Sequence, residues 1–172
     1  MKALKYILFA VIGLAVSALI VSLILPKKFH AEGTIIINKP VAEVFSYVRY
    51  IKNQENYGTW FRMDDNIQKK FSGEDGTVGF RYEWESDKVG DGIQVITGIT
   101  DNERVDMDLF FNGAKEPAKS FISTEALGSD STKVVWAIDG EMPIPFNLMS
   151  LFYDMNNDFI QGVHNLKEVL EK

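Results

Sequence analysis

The sequence predicts an α+β domain in which one antiparallel sheet is covered by a long C-terminal helix, with a membrane-spanning helix placed before it. Three observations carry this prediction. Residues 6–25 form an uncharged apolar run, the middle of the chain alternates apolar and polar residues with period two, and residues 148–170 carry an apolar stripe at steps of three and four. Charge divides the chain in the same place. Four of its 18 basic residues and none of its 24 acidic ones fall within 1–28, so a segment at +4 precedes a body at −10, although the whole chain sums to −6. Its 172 residues suit one domain after the apolar run, which gives an anchor and flank at 1–28 and a domain at 29–172.

The apolar run (YILFAVIGLAVSALIVSLIL, Tyr6 to Leu25) has 20 residues. At about 1.5 Å rise per residue it reaches roughly 30 Å, the thickness of a bilayer's hydrocarbon core. A cleaved signal peptide has a shorter apolar stretch that ends in small residues. Here Leu23-Ile24-Leu25-Pro26 follows, and Ala31 has Phe29 two positions before it, so the expectation is an uncleaved anchor. A core helix would need a polar face, and Gly13, Ser17 and Ser22 are the only relief around this one. Lys2 and Lys5 on one side nearly balance Lys27 and Lys28 on the other; the short tail before the span favours the domain on the extracytoplasmic side.

Pro26 to His30 reads as a stalk, and residues 32–38 as a strand. Asn38 is placed to cap a short helix with Pro40 in its first turn and Val41, Val44, Phe45 and Val48 on its apolar face. Strands follow at 78–85, 93–100, 105–111, 119–126 and 132–139, separated by Asp75-Gly76, Gly90-Asp91-Gly92, Asn112-Gly113 and Gly128-Ser129, residue types that accept the positive φ of hairpin turns. Leu148, Leu151, Phe152, Met155, Phe159, Val163, Leu166 and Leu170 predict a helix of about 25 residues that covers the sheet.

Composition narrows function by exclusion. With no cysteine there is no disulfide framework and no thiolate chemistry. An acidic body argues against nucleic acid, whose phosphates are bound by Lys and Arg. No His pair has metal-ligand spacing, Gly90-Asp91-Gly92 lacks the later glycine of a dinucleotide loop, and no serine sits in a nucleophile elbow, so no metal, cofactor or catalytic residue is expected. Asp106 with Asp108, and Asp154 with Asp158, could be acid-base pairs, and each reads better as the solvated side of its element. His164 falls beside the stripe residue Val163 and reads as a rim histidine.

The segments Ile37-Asn38-Lys39-Pro40-Val41-Ala42-Glu43-Val44-Phe45, Asn56-Tyr57-Gly58-Thr59-Trp60-Phe61, Gly76-Thr77-Val78-Gly79-Phe80 with Trp84, Gly90-Asp91-Gly92-Ile93-Gln94 and Thr132-Lys133-Val134-Val135-Trp136, in this order before a long helix, resemble the polyketide cyclase/dehydrase and lipid-transport superfamily (START-like, SRPBCC) over residues 32–172. The resemblance implies the helix-grip fold: a curved antiparallel sheet of about seven strands wrapped on the C-terminal helix, with a cavity between them for an apolar or amphipathic small molecule. Candidate lining residues are Trp60, Phe61, Tyr82, Trp84, Phe110, Phe121, Trp136, Phe152, Met155 and Phe159; the same rings could equally be filled core. Three readings of function stand side by side. The first is a membrane-anchored binder of a lipid-like molecule, the second a cyclase- or dehydratase-like enzyme, and the third an envelope interaction or stress-sensing module.

Overall fold

The computed structural model describes residues 2–172, which separate into two compact units: residues 2–29 with 141–154, and residues 30–140 with 155–172. In the first, α1 runs from Lys2 to Ile24. Its apolar side chains, Leu8, Ile12, Leu19 and Leu23 among them, are exposed around the whole helix. The Ser17 hydroxyl returns a hydrogen bond to the Gly13 carbonyl at 2.8 Å, so its polarity is spent within the helix. Among the described residues, length and composition thus give one helix able to cross a membrane.

The second unit is the α+β domain. Its elements are β1 (Lys28–Ile37, beginning two residues before the unit does), α2 (Val41–Val48), β2 (Gln68–Ser72), β3 (Arg81–Glu85), β4 (Gly92–Thr100), β5 (Arg104–Phe111), β6 (Ala118–Ala126), β7 (Thr132–Glu141) and α3 (Asn156–Leu170). The seven strands form one sheet in the order β1-β7-β6-β5-β4-β3-β2, a meander whose first strand lies beside its last. A register shift between Ile96 and Gly98 puts a bulge in β4 against β5, which adds local twist. Tyr82, Gln94, Ile96, Val105, Met107, Ile122, Val134, Trp136 and Ile138 are buried and share the inner face.

α3 lies on that face through Phe159, Gly162, Val163 and Leu166, a stripe at three- and four-residue steps. Backbone meets backbone at one point: a Cβ on Gly33 of β1 would come within 2.3 Å of the Phe159 carbonyl oxygen, so only glycine permits this approach. Polar ties hold the helix along its length. Glu32 N–H donates to Asn156 Oδ1 at 3.0 Å, Asn165 Nδ2 to the Tyr57 carbonyl at 2.9 Å, and Lys167 Nζ to the Ile36 carbonyl at 2.7 Å.

Four expectations are corrected. β1 already begins at Lys28, leaving no stalk through His30, because His30 is fixed between Asp139 (2.8 Å) and Glu32 (3.5 Å). α2 begins after Pro40 without a side-chain cap, and Asn38 instead donates its backbone N–H to Glu171 at 2.6 Å. Strand β2 (QKKFS) is additional; it is an exposed edge without apolar alternation. The C-terminal helix has 15 residues rather than about 25, since residues 146–151 form a 3-10 helix in the first unit.

Candidate functional site

Between β7 and the loops after α2, the inner face carries a continuous row of aromatic rings. A 3-10 helix at Ile51–Asn56 and a second at Trp60–Arg62 bring Tyr57, Trp60 and Phe61 over the sheet. The first is positioned by Asp75, whose carboxylate accepts from the N–H groups of Ile51 (2.9 Å), Lys52 (3.1 Å) and Gly76 (2.8 Å). Gly76 takes φ +76 to make that turn.

Trp136 is the hub. Its ring centroid lies 5.3 Å from Tyr57, 5.1 Å from Trp60 and 5.2 Å from Phe159, with the Tyr57 and Phe159 contacts edge-on. Gly162 of α3 leaves room for it, as a Cβ there would stand 2.8 Å from the indole. The row continues from Trp60 to Phe61 (6.3 Å), Phe61 to Tyr82 (6.0 Å), and Tyr82 to Phe71 (5.0 Å) and Trp84 (5.4 Å). Gly92 on β4 seats the Trp84 ring at a distance no side chain would allow.

The polar groups among these rings are hydroxyls and amides. Tyr57 and Tyr82 are 0% and 2% exposed, and their hydroxyls, with that of Thr59, have no hydrogen-bond partner. Leaving a buried hydroxyl unpaired costs about 1–3 kcal/mol. Burial pushes both phenols well above their ordinary range, so both hydroxyls remain donors. Nearby, Gln94 and Gln54 direct their amides to the Met107 sulfur at 2.8 and 3.6 Å, a weak acceptor for a buried donor.

The structure brings together Trp60, Phe61, Tyr82, Trp84, Trp136 and Phe159 of the predicted lining set. Met155 is half-buried immediately before α3. Phe110 and Phe121 stand elsewhere, on the outer face, because β5 and β6 turn Val105, Met107, Leu109, Ser120 and Ile122 inward. Phe152 is 88% exposed and belongs to the first unit. Sequence reasoning passed over Tyr57, Thr59, Gln54, Gln94, Phe71 and Phe80. Tyr57 and Thr59 lie inside the Asn56–Phe61 segment that carries the resemblance, and Phe80 shares the parity of Tyr82.

The outer face differs in kind. Arg104 pairs with Asp106 at 2.7 Å and lies over the Phe121 ring at 3.7 Å, while Lys119 pairs with Asp108 at 2.7 Å. These residues, with Thr97 and Asp139, surround a depression of about 310 Å³. Its carboxylates are therefore engaged by cations in water, not poised as an acid and a base. Asp154 belongs to the first unit, Asp158 to the first turn of α3, and His164 is exposed. Among the described residues no three metal-ligating side chains converge.

Neither a protein-family model nor a curated protein matches this sequence. Solved structures do. The chain is similar to norcoclaurine synthase from Thalictrum flavum (TM-score 0.65, 8% identity, 89% of this chain and 92% of that one). It is similar also to the Aha1 protein from Colwellia psychrerythraea (TM-score 0.59, 15%, 83% and 96%). A third is DynU16, a putative protein of the dynemicin biosynthetic locus (TM-score 0.58, 13%, 83% of this chain and 47% of that one). Strand order, the terminal helix gripped through Gly33 and Gly162, and these likenesses agree: this chain has the helix-grip fold that those solved structures share.

Proposed function

We propose that the protein is a membrane-anchored binding domain that takes a hydrophobic or amphipathic, lipid-like small molecule between its sheet and α3. The observation that carries this reading is the set of buried hydroxyls, Tyr57, Thr59 and Tyr82, unpartnered along a wall of aromatic rings. Apolar area with a few convergent donors is the composition of a small-molecule site. A ligand with a hydroxyl, carbonyl or carboxylate head at one of these groups would supply a missing acceptor, while its apolar body lies against the aromatic row. Trp60 and Phe61 ride on a three-residue 3-10 helix and are only half-buried, so they form the cover that parts on entry. A related fold holds small aromatic molecules: a norcoclaurine synthase structure contains dopamine and hydroxybenzaldehyde. The anchor keeps such a domain at a bilayer surface, where lipid-like compounds are concentrated.

All three tryptophans, Trp60, Trp84 and Trp136, lie in the domain's aromatic row, so tryptophan fluorescence reports on the proposed site. The full chain in phosphatidylcholine nanodiscs, titrated with a doxyl-labelled stearic acid, is expected to show saturable quenching. Tyr82→Phe should weaken binding about fivefold, as expected for about 1 kcal/mol of hydrogen bonding. Absence of quenching, or quenching that only tracks bulk partitioning, overturns the reading. The reading places the domain on the extracytoplasmic side, and digestion by protease added outside intact cells tests that placement.

A further inference from the structure

The apolar stripe that continues past the N-terminal end of α3 serves the anchor instead. Residues 142–153 (MPIPFNLMSLFY) are free of charge and are bounded by Glu141 and Asp154. Within the first unit their 3-10 helix, Phe146–Leu151, is fastened to the last turn of α1. The buried Asn147 side chain donates from Nδ2 to the carbonyls of Ser22 (2.8 Å) and Leu25 (3.3 Å), and its Oδ1 accepts from the Ser22 hydroxyl. Met142 N–H adds a bond to the Lys27 carbonyl at 2.8 Å. Two of the carbonyls that a helix C-terminus leaves without intrahelical donors are thereby satisfied.

Depth follows from this fastening. Ser22 lies three residues inside Leu25, about 4.5 Å along the axis at helical rise. A segment bonded to it stands level with the outermost turn of the span. Yet Phe146, Met149, Leu151 and Phe152 point away from the unit, Phe152 being 88% exposed. Such a patch beside water is costly; beside acyl chains it is not.

Most of the backbone donors from Asn147 onward meet the condition that lipid imposes, that polar groups be satisfied internally. Asn147 N–H donates to the Pro143 carbonyl (3.3 Å), Leu148 N–H to that of Pro145 (3.1 Å), and the N–H groups of Phe152 and Tyr153 to that of Met149 (3.0 and 2.9 Å). Pro143 and Pro145 have no N–H to satisfy. The Ser150 hydroxyl donates to the Asn147 carbonyl at 2.8 Å.

We propose that residues 142–153 are a second membrane-seated element, with Phe146, Met149, Leu151 and Phe152 in the lipid at the level of the anchor's last turn and Asn147 as the tie that holds them there. This rests on the reading of α1 as a membrane span. Continuity with the apolar circumference of α1 identifies the occupant as the same bilayer.

The chain has no cysteine, so single substitutions can be labelled cleanly. The full chain is reconstituted in phosphatidylcholine vesicles with a fluorophore at Ile12→Cys in the anchor, Phe152→Cys in the segment, or Ser129→Cys in the β6–β7 loop. The lipids carry bromine either near the bilayer centre or near the headgroup. The proposal expects the label at 12 to lose most of its fluorescence to central bromines, the label at 152 to shallow bromines, and the label at 129 to neither. Quenching at 12 with none at 152 overturns the proposal and leaves the anchor standing, as when a protein partner covers the patch. No quenching at 12 overturns the anchor and the proposal with it. Adding Asn147→Ala should abolish most quenching at 152 and leave 12 unchanged; undiminished quenching at 152 removes Asn147 as the tie.

Discussion

On β5 the inward residues are Val105, Met107 and Leu109 and the outward ones Arg104, Asp106 and Asp108, and the two sets treat polarity in opposite ways. Outside, charges meet charges: Arg104 with Asp106, Lys119 with Asp108, Arg81 with Glu83 at 3.0 Å. Each pair has at least one partner open to water, which keeps its contribution small. Inside, polarity is sparse, uncharged and in part unpaired, as at Tyr57, Thr59 and Tyr82. The outer face satisfies its own polar groups, whereas the inner face keeps donors unspent. The Arg81 hydrogen bond that holds the Glu83 carboxyl below the usual carboxylate range shows how fully the outer groups are already committed.

The sharpest way to break this contrast is to remove the hub of the inner face. Trp136→Ala should cost about 3–5 kcal/mol in chemical denaturation, because the cavity would touch Tyr57, Trp60 and Phe159 at once. Gly33→Ala should cost about 1–3 kcal/mol by forcing β1 off the Phe159 backbone, read as a lowered midpoint with an unchanged denaturant slope. Tyr82→Phe distinguishes a ligand site from mere core. It removes an unpaired hydroxyl, so the ligand-free protein should gain about 1 kcal/mol while affinity for the doxyl probe falls. On the outer face Asp108→Asn should change stability by no more than about 1 kcal/mol and leave probe binding untouched.

The smallest effect is a pH dependence at the edge of that outer face. The hydrogen bond to Asp139 raises the His30 pKa above its ordinary 6.5. A raised folded-state value stabilises where the imidazole is protonated, fully below the unfolded value, and the gain is lost as pH rises through the folded value. Melting temperatures of the parent and His30→Gln should therefore differ at pH 5.5 and converge by pH 8.5. Both partners are half-exposed, so the difference should be small.

Alternation made most of the sheet legible, since β3, β4, β5 and β7 each turn one parity inward. It failed at β2, where Gln68-Lys69-Lys70-Phe71-Ser72 is an edge with no side turned fully inward. Phe110 could have been placed from the chain alone, as it shares the parity of Asp106 and Asp108. Phe121 could not, because Ser120 and Thr124 are polar residues that β6 turns inward. The stripe through 148–152 misled for a different reason: its apolar residues belong to the first unit, and periodicity does not say which surface a residue covers. The unpaired hydroxyls were illegible in principle. A tyrosine's lack of a partner depends on neighbours from distant strands and loops.

The tie between Asn147 and the end of α1 joins positions 122 and 125 residues apart, and the sheet sets β1 beside β7. Synthesis proceeds from the amino end, so α1 emerges long before the residues that finish its last turn. The edge of β1 likewise waits for residues 132–141. Both closures wait on residues 132–147 and fall within a few residues of each other in the chain. A nascent chain halted before residue 132 would hold an apolar helix, an open strand and no completed surface, which makes residues 132–147 the step on which both units depend.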